Sequence, residues 1–156
     1  MNPKDAKAKS ANPHNIFLTA EAFDTACQAL VDTIPKQDVF TRSIVIGHNA
    51  ALTLELYLKC LLVLEHGSYV EEHDSQKLFR LLGRQTKQAL EKKWKKAVAG
   101  TDFQDLEECL SLGKDSFAKF RYAFEQASVG VVWALGALIP IVKSLILHLR
   151  PQWKTE

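Results

Sequence analysis

Residues 41–67, TRSIVIGHNAALTLELYLKCLLVLEHG, decide the fold. Apolar residues fall on nearly every side of a helical wheel drawn through this stretch, and no period-two alternation interrupts them. A helix that is apolar nearly all round belongs in the middle of a bundle. The sequence predicts it over about Thr41–Glu65, ended by Gly67, with the rest of the chain packed around it.

Working outward, Phe23, Cys27, Leu30 and Ile34 recur at helical spacing, which predicts a first helix from about Thr19 to Ile34, before Pro35. After the linker Ser68–Asp74, a third helix is expected to start at Asp74 or Ser75, bury Leu78, Phe79, Leu81 and Leu82, and fade through Trp94 to about Ala99. Gly100 breaks it. A short helix from Thr101 or Asp102 buries Phe103, Leu106, Cys109 and Leu110, and SLGKD (111–115) reads as a kink or loop. Asp115 then caps a helix with the aromatic stripe Phe117, Phe120 and Phe124. The last helix, about Val129–Leu149, is expected to bend at Pro140. The fold class is all-α, an up-and-down antiparallel bundle of five or six helices spanning residues 17–150. Residues 1–16 are expected to be a disordered basic segment and 151–156 a tail.

A chain of 156 residues, 47% apolar and 24% charged, with seven Gly and five Pro, fits one domain. Folded, it hides roughly 70% of the surface it would expose unfolded, enough for a core without staples. Collagen-like, disordered and disulfide-scaffold classes need compositions that are absent. Cys27, Cys60 and Cys109 sit among apolar residues with no second Cys or His at ligand spacing, so buried reduced thiols are expected. The opening MNPKDAKAKSANPHN has lysines but no apolar run, which points to the cytoplasm. Val129–Val142 is too short to span a membrane, since a span needs about 20 residues. A core or dimer-interface helix is the expectation there, with no membrane partner.

Within the apolar second helix, His48, Glu55, Lys59 and His66 share one stripe. Glu55 and Lys59 stand four apart in the favourable order, worth about 0.3–0.5 kcal/mol on an exposed face. On a helix this apolar, burial would make each charge need its partner. The spacing fits both a structural ion pair and a site. Arg121 and Glu125 make a second such pair in FAKFRYAFE (117–125), beside Tyr122, where a guanidinium can fork onto a carboxylate or a phosphate.

Charge is uneven. Lys77–Lys96 holds eight basic residues against Glu91, a net +7, so the remainder carries −5 to reach the overall +2. Lys77, Arg80, Arg84 and Lys87 would share one helix face as a cationic ridge for phosphates. The alternative is a solvated face paired with Asp102, Asp105, Glu107 and Glu108. No Ser-His-Asp signature, Gly-rich phosphate loop, His-x-x-x-His or Cys-x-x-Cys is present, so no cofactor and no metal are expected. Arg42 and His48, with five residues between them, have a spacing associated with metal-independent ribonucleases. If the chain cleaves RNA, His48 and His73 are the titrating groups, and Arg42 and Arg121 the cations.

ALTLELYLKCLLVLEHG (51–67), HDSQKLFRLL (73–82) and DSFAKFRYAFE (115–125) together resemble the HEPN superfamily of small helical bacterial and archaeal domains. The shared features are the Glu-x-x-x-Lys of the apolar helix, the glycine, the His-Asp opening the next helix and a later Arg-Tyr. The resemblance spans roughly residues 17–149. It implies a helical bundle that often dimerises, with members acting as RNA-cleaving toxins or defence effectors, partners of nucleotidyltransferases, or inactive RNA- or nucleotide-binding modules.

Catalytic members carry Arg and His on a late helix. Here Arg121 is followed by Glu-Gln-Ala-Ser at 125–128, with no histidine at that spacing. The expectation is therefore a non-catalytic RNA- or nucleotide-binding homodimer in a defence or toxin-antitoxin setting, with a nucleotidyltransferase or an antitoxin as a possible partner. The binding residues on this reading are Arg121, Tyr122, Lys59, Glu55, His73, Arg80, Arg84 and Lys87. The alternatives are a metal-independent endoribonuclease and a purely structural dimer module.

Overall fold

Helix α2, Val39–His66, is the axis of the molecule. The structure, a computed structural model, describes residues 8–33, 39–101, 105–112 and 129–154, and the side chains of all these except 39–43, 112 and 129–133. Leu54, Tyr57, Leu58, Cys60 and Leu61 of α2 are at most 1% exposed because helices pack on it from several sides. Gly67 ends it with φ +72°, a left-handed conformation costly for any other residue, and its N–H bonds to Val63 O at 2.9 Å. Ile44–His66 is long and apolar enough to cross a membrane by length and composition, and 61% of that window is buried inside the bundle.

Helix α1 is Pro13–Thr33, starting six residues before the expected Thr19. Asn12 and Pro13 are the reason: Asn12 Oδ1 accepts the His14 N–H at 2.9 Å, and Pro13 is preset for a first helical turn. Thr19 instead turns its hydroxyl back onto Asn15 O at 2.8 Å, as mid-helix threonines do. Cys27 of the expected stripe is buried, Phe23 and Leu30 are half-buried, and Ile34 lies outside the described residues. Residues 8–16, read as part of a disordered segment, contribute the strand β1, Ala8–Lys9, and the first turn of α1. β1 pairs antiparallel with β2, Tyr69–Val70.

The expected third helix is two. α3, Ser75–Leu81, starts at Asp74, whose carboxylate accepts the amides of Gln76 and Lys77 at 2.9 and 3.2 Å. Leu82 and Gly83 are extended, and α4, Arg84–Ala97, follows. Gly83 gives α4 no side-chain cap, and Glu65 of α2 supplies one by accepting the Gly83 N–H at 2.8 Å and the Thr86 hydroxyl. Beside this break Leu81, expected inside, is 44% exposed. α3 meets α2 near Glu55 at its start, through His73, and near Glu65 at its end, so it runs alongside α2 in the same direction.

α5, Leu106–Leu112, starts later than expected, at Asp105, which accepts the Glu108 N–H at 3.0 Å. Leu106, Cys109 and Leu110 are buried as the spacing requires, while Phe103 is outside the described residues. So are most of SLGKD and the helix expected after it. α6, Val129–Leu149, has the expected bounds and carries Pro140 on its exposed side without ending there. A single 3-10 turn, Pro151–Trp153, folds back so that Trp153 packs on Phe17 and His14, with ring centroids 5.5 and 4.9 Å apart. The stretch read as a tail is thus partly docked. The whole is an all-α bundle with six helices among the described residues and one two-residue ribbon.

Candidate functional site

Glu55, Lys59 and His73, three of the residues singled out in the sequence, come together. Lys59 Nζ lies 2.7 Å from Glu55 Oε1, with the two residues 8% and 5% exposed, so the i,i+4 pair is a buried one. His73 Nδ1 lies 3.1 and 3.2 Å from the two Glu55 oxygens. A carboxylate only accepts, so Nδ1 carries the proton of that bond. The imidazole is 73% exposed, unlike the pair behind it. Across the pair, the Tyr69 ring centroid stands 5.5 Å from Lys59 Nζ, within cation–π range.

The turn before α3 holds His73 in place. Glu72 Oε1 accepts the amides of His73 and Asp74 at 2.9 and 3.1 Å, and Oε2 pairs with Lys77 at 3.1 Å. Burial pushes the Glu72 carboxyl up, but those two amides and Lys77 outweigh it and hold it below the ordinary value. At the ribbon, Glu71 pairs with Lys9, whose hydrogen bond and charge hold the Glu71 carboxyl low.

The rest of the expected stripe diverges. His66 Nε2 lies 3.2 Å from Leu81 O, at the end of α3, and 3.5 Å from Glu65. His48 is half-buried two turns before Glu55, and the side chain of Arg42 is outside the described residues, as are Arg121, Tyr122 and Glu125.

The cationic ridge is not one helix face, because the break at Leu82–Gly83 puts Lys77 and Arg80 on α3 and Arg84 and Lys87 on α4. Arg80 is committed to Glu107, with Nε and Nη2 donating to Oε2 at 2.9 and 2.8 Å, which is the pairing of the solvated-face alternative. Lys87 Nζ donates to Arg80 O at 3.3 Å. On α4, Arg84, Lys92, Lys95 and Lys96 are exposed and have no acidic partner within 4.0 Å among the described residues. Arg84, Lys92 and Lys96 fall on one stripe at steps of eight and four, opposite the buried Leu90 and Trp94.

A second polar cluster was not found from sequence. Tyr57, buried in α2, donates its hydroxyl to Glu21 of α1, and Lys143 of α6 reaches Glu21 and Asp24 at 2.8 and 3.7 Å. Burial, then the Glu21 bond, pushes the Tyr57 phenol far up. This network ties α1, α2 and α6 together beside a cleft of about 520 Å³ lined by Asp24, Cys27, Ile46, Ile139, Pro140 and Lys143. The only sequence signals were a tyrosine within an apolar helix and a lysine interrupting an apolar run.

All three cysteines are buried and unbridged. Burial pushes the Cys60 thiol up to about 12 and the Cys109 thiol up to about 11, and raises that of Cys27. They are therefore protonated and inert at neutral pH. Among the described residues no three His, Cys, Asp or Glu side chains converge in a way that could hold a metal ion. Compared with known proteins, the chain matches no family model, no curated protein and no solved structure.

Proposed function

We propose that this chain is a HEPN-like cytoplasmic module that binds RNA or a nucleotide without cleaving it, as a homodimer in a defence or toxin-antitoxin setting. The supporting observation is the exposed stripe of α4. Arg84, Lys92 and Lys96 stand there without acidic partners among the described residues, in a helix with six basic residues and one acid. Cations in that state attract phosphates and release counterions when they meet them. Arg80 of α3 and Lys59 of α2, by contrast, are already paired, which leaves α4 as the element for the proposed contact.

The test is binding of a labelled single-stranded RNA, followed by anisotropy across a salt series. Affinity is expected to fall steeply with salt, and the Arg84→Ala/Lys92→Ala/Lys96→Ala variant to flatten the log–log slope by about 2, since each lost phosphate contact removes about 0.7. Absence of binding at low salt, or a slope unmoved by the triple change, refutes the reading.

One observation favours a second reading, a metal-independent endoribonuclease. An exposed imidazole fixed by a carboxylate, as His73 is by Glu55, is the arrangement of a general acid or base. The missing histidine after Arg121 ranks it second.

A further inference from the structure

On the Lys59 side of the buried pair lies β2, whose Tyr69 ring stands 5.5 Å from Lys59 Nζ, while His73 faces the Glu55 oxygens. β2 is held by α2 beneath it and by β1 beside it, in a ladder of two residue pairs, Ala8 with Val70 and Lys9 with Tyr69. Two-stranded ribbons are marginal in water, and this one is as short as a ladder can be. Its latch is the Lys9–Glu71 ion pair, whose side chains are 46% and 58% exposed, the kind of pair that holds weakly and is screened by salt.

The anchorage on either side is firmer. After β1 the chain enters α1 through the Asn12 cap, and Pro13 O accepts the Cys60 thiol, so α1 is docked one residue from Lys59. After β2, Glu72 braces the turn into α3. A weak ribbon between two firm ends, lying over a buried charge, can open by itself.

We propose that the β1–β2 ribbon is a gate over the buried Glu55–Lys59 pair: closed, it seals the Lys59 ammonium beneath Tyr69, and open, it admits an anionic reagent or ligand to that ammonium. The gate concerns access to this pair alone and stands whether or not α4 binds RNA.

The probe is a sulfonated, anionic acetylating ester, pulsed onto the full chain, with Lys59 labelling measured by peptide mass spectrometry against the exposed Lys92. Closed-state protection is expected to slow Lys59 by about tenfold or more relative to Lys92, the scale of a local opening equilibrium. Lys9→Glu, which sets two acids against each other at the latch, is expected to raise Lys59 labelling several-fold, and high salt to do the same in the unmodified chain. Lys59 labelled as fast as Lys92 in the unmodified chain means no seal exists and overturns the proposal. So does a Lys59 rate that ignores both Lys9→Glu and salt yet rises in Tyr69→Ala, because the ring alone would then be the cover. Thiol reactivity at Cys60 is followed in parallel. Its appearance together with Lys59 labelling means that α1 has undocked, and it too overturns the gate.

Discussion

The carboxylate of Glu65 accepts the backbone N–H of Gly83 at 2.8 Å, so one helix caps the start of another. A Cβ added at Gly83 would stand 3.3 Å from Glu65 Oε1, so the close approach is one that glycine allows without displacement. Glu65→Ala strands the Gly83 amide and the Thr86 hydroxyl together. The expected cost is about 1–2 kcal/mol, read as a melting temperature lowered by roughly 2–8 °C in thermal circular dichroism. An unchanged melting curve would mean that solvent caps α4 as well as Glu65 does.

Breaking the Glu55–Lys59 pair from one side is expected to be far more costly than removing it whole. Lys59→Met leaves a buried carboxylate and should cost about 3–5 kcal/mol in urea unfolding, whereas Glu55→Leu/Lys59→Met should return to within about 1–2 kcal/mol of the unmodified chain. Equal losses in the single and double variants would contradict the burial of the pair.

Glu72 sets a pH dependence. Its carboxyl is held below the ordinary 4.5 in the folded chain, so the unfolded chain takes up its proton first as pH falls. The stabilisation is therefore fully present above about pH 4.5 and lost as pH falls through the lower folded value. Glu72→Gln should be less stable than the unmodified chain at pH 7, and the gap should narrow at pH 3. A gap that stays constant or widens in acid reverses the sign and refutes the assignment.

On the proposed function, the purified protein in EDTA should cleave RNA no faster than the His48→Ala, His73→Ala and Arg121→Ala variants. Losing a true acid or base costs on the order of a hundredfold. Cleavage by the unmodified chain that drops on that scale in folded His73→Ala would establish the ribonuclease reading in place of the binding one.

Dimerisation is proposed through the exposed side of α6. Gly136 is exposed, and a Cβ there meets nothing within 4 Å, so Gly136→Arg can be accommodated in the isolated chain. Light scattering at micromolar concentration should report a dimer, weakened by Gly136→Arg with the helical signal kept. A monomer in both cases removes the interface.

What the sequence made legible is what local periodicity and caps encode. The bounds of α2 and α6, the Asp74 cap and the Gly67 stop all follow from residues within a turn or two of each other, and so does the Glu55–Lys59 contact. The break at Leu82–Gly83 was not legible, because the group that stabilises it is Glu65, on another helix. Likewise His73 joins Glu55, and Tyr57 joins Glu21 and Lys143, through folding back of the chain rather than through spacing. The early start of α1 is encoded locally in Asn12-Pro13, but Thr19 with Glu21 and Asp24 after it carries an equally local capping signal, and only the packed chain decides between the two.

Two contacts between α2 and the segment after it share one offset: Glu55 meets His73 and Glu65 meets Gly83, each eighteen residues apart. The ten residue steps from Glu55 to Glu65 rise about 15 Å along α2, and the stretch from His73 to Gly83 must cover the same distance beside it. One residue inserted between Glu55 and Glu65 would turn the far carboxylate by about 100° and advance it by about 1.5 Å, away from Gly83. A compensating insertion in α3 would lengthen that segment but could not undo the rotation of α2. Length variation is therefore confined to places outside this doubly pinned pair, and the segment from Gly67 to Glu72 is constrained as well, by the register of Tyr69 and Val70 with β1 and by the Glu72 brace at His73.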